Sequence, residues 1–176
     1  MTAEAAVRDL LRSRGADGIA HPGGTLGSHL ERVQQRLARL GAPETVQWAG
    51  RVHAVYGTDG FDVALLELGE RPLLARIVGE ETEQLVYRYG SCDRGRTWAG
   101  LADERRVWNR FTGAGEVLDV LELRAFADLS IVNELDVAEH SEDFLPRFGG
   151  YFRRLTRAWS SALSPAVAAD AERVFG

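Results

Sequence analysis

Thr25-Leu-Gly-Ser-His-Leu-Glu-Arg-Val-Gln-Gln-Arg-Leu-Ala-Arg-Leu40 is the stretch from which the fold class is read. Leu26, Leu30, Val33, Leu37 and Leu40 recur three or four residues apart, the spacing of one buried helix face. Thr25 is suited to cap the first turn, because its side-chain oxygen can accept from a free backbone N–H, and Gly41 stops the helix. At 100° per residue these aliphatic positions stay within about 40° of their centre, and His29 lies about 60° from it. His29 therefore points toward the core from the flank of the stripe.

Similar spacing extends in both directions. Toward the N-terminus, Gly18-Ile-Ala-His-Pro-Gly-Gly24 is irregular, because Pro22 and two glycines block a helix, and Ala3 to Arg14 reads as a short helix ending at Gly15. Toward the C-terminus, Pro43 starts a third helix, expected over Glu44 to Tyr56, with His53 about 20° from Val46 on its apolar sector. Gly57-Thr-Asp-Gly60 is a turn. Two helical pieces follow, Arg71 to Val78 and Glu80 to Tyr89, then a loop from Gly90 to Gly100 and a short helix over Asp103 to Arg110. The longest helix is expected over Leu121 to His140. Pro146, Gly149 and Gly150 interrupt the next region, Tyr151 to Leu163 is helical, and Ser164-Pro165 opens the last helix. The expectation is an all-α chain of seven or eight helices forming a single domain over residues 1–176. Residues 1–20 form an N-terminal extension to it and 151–176 its C-terminal packing helices.

Composition narrows the function. The 176 residues carry 21 basic and 26 acidic side chains, and every basic one is arginine. The net charge of −5 and the absence of a basic block argue against a nucleic-acid partner. A chain without lysine has no Schiff-base or P-loop lysine. Gly113-Ala-Gly115 lacks a preceding strand and a full GxGxxG, so no nucleotide cofactor is expected. Cys92 is the one cysteine, which excludes an internal disulfide and a cysteine-built zinc site. It reads as a small buried hydrophobe. No run of apolar residues is long enough to span a bilayer, and no signal-peptide layout is seen, so a cytoplasmic chain without membrane partners is expected. The oligomeric state stays open.

Polar residues on apolar faces mark the candidate site. On the long helix, with Leu129 at zero, Asp136 falls at about −20°, His140 at about +20° and Asn133 at about +40°, among Ala125, Phe126 and Val132. Asp128 and Glu134 fall far off this face, near −100° and +140°, and read as solvated or flank residues. A buried carboxylate needs a cation, a metal or good hydrogen bonds, and a converging His29, His53 and Asp136 would supply that. His21 precedes a helix N-terminus, where free amides favour an anion, and His140 suits the negative end of its own helix.

The runs His21-Pro-Gly-Gly-Thr-Leu-Gly-Ser-His29 and Ala49-Gly-Arg-Val-His53-Ala-Val-Tyr-Gly-Thr-Asp-Gly-Phe61 resemble a small family related to the HD superfamily of helical metal-dependent enzymes. Ile77 to Tyr87 and Cys92-Asp-Arg94 extend the likeness, which covers about residues 20 to 145. It implies that His29 matches the first metal-binding histidine, His53 the dyad histidine, and Asp136, chosen by its helix face, the later aspartate. Asp128 is the alternative for that last place. Ala54 stands where the dyad aspartate belongs, which removes one donor.

Two chemistries follow. In the first, one divalent metal (Fe, Mn, Zn or Ni) on His29, His53 and Asp136 activates water for hydrolysis of a phosphoester or related anionic metabolite. Arg94, His21, Asn133 and Asp59 would then contact the substrate. In the second, no metal binds, and His53 with Asp136 acts as an acid–base pair for a lyase, isomerase or cyclase, with Tyr56 donating to a developing oxyanion. A third reading is a non-catalytic ligand-binding or structural protein on the same scaffold.

Overall fold

The computed structural model describes residues 2–176. The fold is all-α: among the described residues there are ten α-helices, and the only paired strands form two short antiparallel hairpins. The chain divides into two compact units, one ending at Gly90 and the other spanning Ser91–Gly176.

The first unit begins with α1 (Ala3–Ser13), whose N-cap Thr2 accepts from the Ala5 amide. A 3-10 turn, Ala16–Gly18, leads to β1 (Ala20–His21) and β2 (Gly24–Thr25), which pair with His21 opposite Gly24. Pro22 and Gly23 form the two-residue link between them. Gly23 has φ +80°, a conformation that a side chain disfavours and that the third position of a type II turn requires. Thr25 then caps α2 (Leu26–Arg39) as expected. Its Oγ1 accepts from the Ser28 amide at 3.2 Å, while the Ser28 hydroxyl accepts from the Thr25 amide at 3.0 Å.

α3 (Glu44–Val52) packs on α2 through Gly50. A Cβ there would lie 2.5 Å from Leu37 Cδ1 and 3.3 Å from Val33 Cγ1, so it would have to displace two buried side chains of α2. This helix is shorter than the expected Glu44 to Tyr56. Tyr56 falls in the turns beyond it, where Val55 and Gly57 bond three residues back to Val52 and Ala54. Downstream, Thr58 and Phe61 exchange both backbone hydrogen bonds at 2.9 Å across Asp59-Gly60. The unit is completed by α4 (Arg71–Val78) and by α5 (Glu80–Ser91), whose last residue opens the second unit.

The second unit contains α6 (Arg94–Thr97), α7 (Leu101–Glu104), the hairpin β3 (Arg106–Trp108) and β4 (Gly115–Val117), α8 (Val120–His140), α9 (Phe144–Ala158) and α10 (Pro165–Phe175). Three expectations are corrected here. The loop from Gly90 to Gly100 contains α6, because Asp93 accepts from the Arg96 amide at 3.0 Å and nucleates a turn. The helix expected over Asp103 to Arg110 ends at Glu104. Arg105 takes a left-handed φ of +52°, and Arg106-Val-Trp108 pairs as a strand with Val107 inward. Pro146 does not interrupt α9. It is the third residue of that helix, where the missing N–H would have had no partner within the helix.

α8 is the core of this unit. Residues 126 to 136 are all buried, and α9 and α10 pack against the helix. At the end of the unit the Trp159 indole donates to the Trp98 carbonyl at 3.0 Å.

Candidate functional site

The first unit gathers three of the four histidines. His21 on β1 stacks on His29 of α2, with ring centroids 4.0 Å apart and planes 26° from parallel. His29 meets His53, which ends α3, edge to face, and Tyr89 of α5 closes on His53 in the same way at 5.3 Å. Phe61 backs His21 at 5.5 Å. His29 and His53 are each only 1% exposed. Local sequence explains the convergence. The hairpin turn at Pro22-Gly23 folds His21 back over the start of α2, and the bare Gly50 lets α3 bring His53 against His29.

Hydrogen bonding orients the pair. His53 Nδ1 lies 2.9 Å from the Gly50 carbonyl, which can only accept, so Nδ1 carries the hydrogen. In the neutral ring His53 Nε2 then holds a lone pair, and it faces His29 Nε2 at 3.4 Å. Where His29 Nε2 carries a hydrogen, it donates to that lone pair.

Tyr56, expected to face a reacting oxyanion, is engaged elsewhere in the unit. Its hydroxyl donates to Glu83 Oε1 at 2.9 Å, and Arg71 grips both oxygens of Glu83 at 2.7 and 2.9 Å. The Arg71 guanidinium also lies 3.7 Å from the Tyr87 ring centroid. Burial, and then the adjacent Glu83 carboxylate, hold the Tyr56 phenol far above its usual range, so it remains a neutral donor. Asp59 sits at the tip of the Thr58–Phe61 turn, half-buried.

The remaining expected residues belong to the second unit. Arg94 donates to Glu134 Oε1 at 3.0 Å, Asn133 donates to the same oxygen at 3.0 Å, and Arg94 also lies over the Trp98 ring at 4.8 Å. Asp136 is buried on α8, and its backbone carbonyl accepts from His140 Nδ1 at 2.7 Å. Asp128 and Glu134, expected in solvent, are both buried. α8 is covered on most of its circumference, so an angle measured from one apolar face does not identify its wet side. Asp128 accepts from the Ser164 amide at 2.9 Å, and burial holds its carboxyl above the usual carboxylate range.

Sequence reasoning missed Glu83 and Arg71. Glu83 lies in an acidic first turn, Glu80-Glu-Thr-Glu83, and nothing there separates the one buried carboxylate from its exposed neighbours. Tyr89, the neighbour of His53, stands at the end of the expected helix, and its place with Leu85 and Val86 on the apolar side is a usable signal.

Two nitrogens on a tetrahedral ion with bonds of about 2.05 Å stand roughly 3.3–3.4 Å apart, so the His29–His53 gap suits two corners of such a site. A backbone carbonyl on the far nitrogen of His53 is also the usual support of a metal-binding imidazole. Among the described residues, however, no three His, Cys, Asp or Glu side chains form a group able to hold an ion. A catalytic zinc takes three protein ligands, and the donors seen fall short of that set.

Residues 10–94 match a family described as a domain of unknown function (DUF6817). The matched segment contains His21, His29, His53, Tyr56, Asp59 and Arg94 and stops short of Asn133 and Asp136. That description assigns no chemistry. The chain matches no curated protein and no solved structure. No described helix is long and apolar enough to cross a membrane.

Proposed function

We propose that the chain is a small-molecule enzyme whose chemistry is proton transfer by the His29–His53 pair, in an isomerase, lyase or cyclase reaction. The observation that carries this reading is the pair of buried Nε2 atoms facing each other at 3.4 Å, with His53 Nδ1 anchored on Gly50. An imidazole with one nitrogen fixed by a carbonyl presents the other as a base of set direction, and a second imidazole beside it can receive or return the proton. In this reading His29 takes the place beside His53 that the sequence analysis gives to Asp136. A cytoplasmic location accompanies this reading.

Metal-assisted hydrolysis of a phosphoester is the second reading, favoured by the tetrahedral spacing of the two nitrogens. His29 and His53 would hold the ion, which would supply an activated water when bound.

One experiment separates these readings. Purified protein is assayed for bound metal and screened by thermal shift against small metabolites that include phosphoesters. Any that bind are tested for turnover with and without chelator, using wild type, His53→Gln and His29→Gln. The acid–base reading expects turnover that survives chelation and falls about 10²–10⁴-fold in either variant. Loss on chelation with recovery on adding one metal would replace it with the hydrolase reading. Turnover unchanged by both variants, or none for any bound compound, would leave the histidines a structural role.

A further inference from the structure

We propose that the β1–β2 hairpin is a cover over the histidine pair with Arg32 as its latch, and that the slot beneath His21 takes a small planar group of the substrate. This deepens the acid–base reading above and rests on it. Of the three rings, His29 and His53 are each 1% exposed while His21 is half-buried, so the stack comes to solvent at His21.

The hairpin is tied at its base and at its tip. At the base the Leu26 amide donates to the Ile19 carbonyl at 2.8 Å. At the tip Arg32, one turn beyond His29 on α2, donates from Nη2 to the Pro22 carbonyl at 3.0 Å and from Nη1 to the Gly23 carbonyl at 3.3 Å. The same Nη1 lies 3.3 Å from the Ser28 hydroxyl. Pro22, Gly23 and Gly24 are exposed, and water would satisfy both carbonyls if the arginine left. The two bonds therefore fix where the tip lies without being needed to pair buried groups. Their loss frees the tip to swing about its base.

The walls of the slot stay behind when the tip swings. The His21 ring lies on His29 with centroids 4.0 Å apart, and Phe61 meets it edge-on at 5.5 Å. His29 belongs to α2, and Phe61 to the turn closed by its two backbone bonds with Thr58. Displacing His21 leaves a slot one imidazole ring thick. A flat unsaturated group, such as an enol, a conjugated carbonyl or a heteroaromatic ring, fits there against His29, within reach of the acid–base pair. A puckered saturated ring is too thick for it.

The probe is imidazole, which copies the ring that it displaces. Its binding to the full chain is followed by NMR titration of the His29 and Phe61 side-chain signals in wild type, Arg32→Met, Arg32→Lys and His21→Ala. Far-UV circular dichroism checks that each variant is folded, and wild type against Arg32→Met decides the matter if His21→Ala is not. Binding that needs an open cover is weakened by the fraction of molecules that are closed. Arg32→Met should therefore bind imidazole more tightly than wild type, by roughly tenfold for the loss of a charge-assisted bond. Arg32→Lys should fall between them, and His21→Ala should bind most tightly. Cyclopentanol, a saturated ring of similar size, should show no such gain. Equal or weaker imidazole binding in Arg32→Met, shifts away from His29 and Phe61, no binding to any folded variant, or the same gains with cyclopentanol would overturn the proposal. None of these readouts needs turnover, so failure of the cover and failure of the acid–base chemistry are seen separately.

Discussion

Gly50 and Glu83 show how single residues hold the histidine cluster in place. Gly50 contributes no side chain, and that lets α3 approach α2 closely enough for His53 to reach His29. In Gly50→Ala the new methyl group would meet Leu37 at 2.5 Å and the Gln34 backbone at 3.4 Å. The backbone contact is an ordinary one, so the cost lies in moving the fully buried Leu37 and Val33 side chains, and a loss of about 1–3 kcal/mol is expected in urea unfolding. The side-chain nitrogen signals of His29 and His53 should shift as well, since the helix that carries His53 is displaced. Glu83 plays the complementary part by tying the Tyr56 turn to α4. Tyr56→Phe removes one of its three hydrogen bonds from Tyr56 and Arg71, with an expected cost of about 1 kcal/mol. Glu83→Ala leaves a buried phenol without its acceptor and should cost more, about 2–4 kcal/mol in the same measurement.

At the scale of elements, α10 depends on a carboxylate from another helix. Asp128 of α8 accepts from the amide of Ser164, and Ser164 caps α10 through its own hydroxyl. Burial raises the Asp128 pKa in the folded state, so folding takes up a proton there. The sign follows directly. The contribution of this group to stability is full below its unfolded pKa, about 3.9, and is lost as pH rises through the higher folded value. Asp128→Asn keeps an acceptor oxygen for Ser164 and removes the titration. Its stability relative to wild type should therefore rise from acid toward neutral pH and level off, as read from urea midpoints across that range. Asp128→Ala, which abandons the Ser164 amide, should be destabilised by about 1–3 kcal/mol at every pH. The elements themselves were legible where period and caps agreed: Thr25 with α2, Ser164-Pro165 with α10, and the length of α8. They were misread where a short range competed with a longer one. Pro146 reads as a break in the sequence but falls in the first turn of α9, and Arg106-Val-Trp108 reads as helix because three residues hold too little period to mark a strand.

At the scale of the whole chain, the single thiol reports on opening of the fold. Cys92 is buried, 2% exposed, and its backbone bridges to Asn109. A thiol reagent should label the native protein slowly and one site per chain at once in denaturant, and rapid native labelling would show that this region opens readily. Helical class, the inward aim of His29 and His53, and the absence of lysine and disulfide chemistry followed from the sequence, because period, caps and composition are local properties. Which polar groups are buried, and what each one touches, required the tertiary structure. Whether Glu83 or its neighbours lie inside, whether Asp128 meets water, and whether Tyr56 faces a substrate or a carboxylate depend on what the rest of the chain packs over them. That packing is set by contacts between residues far apart in sequence, such as the hydrogen bond from the Ser164 amide to Asp128, which no short window along the chain contains.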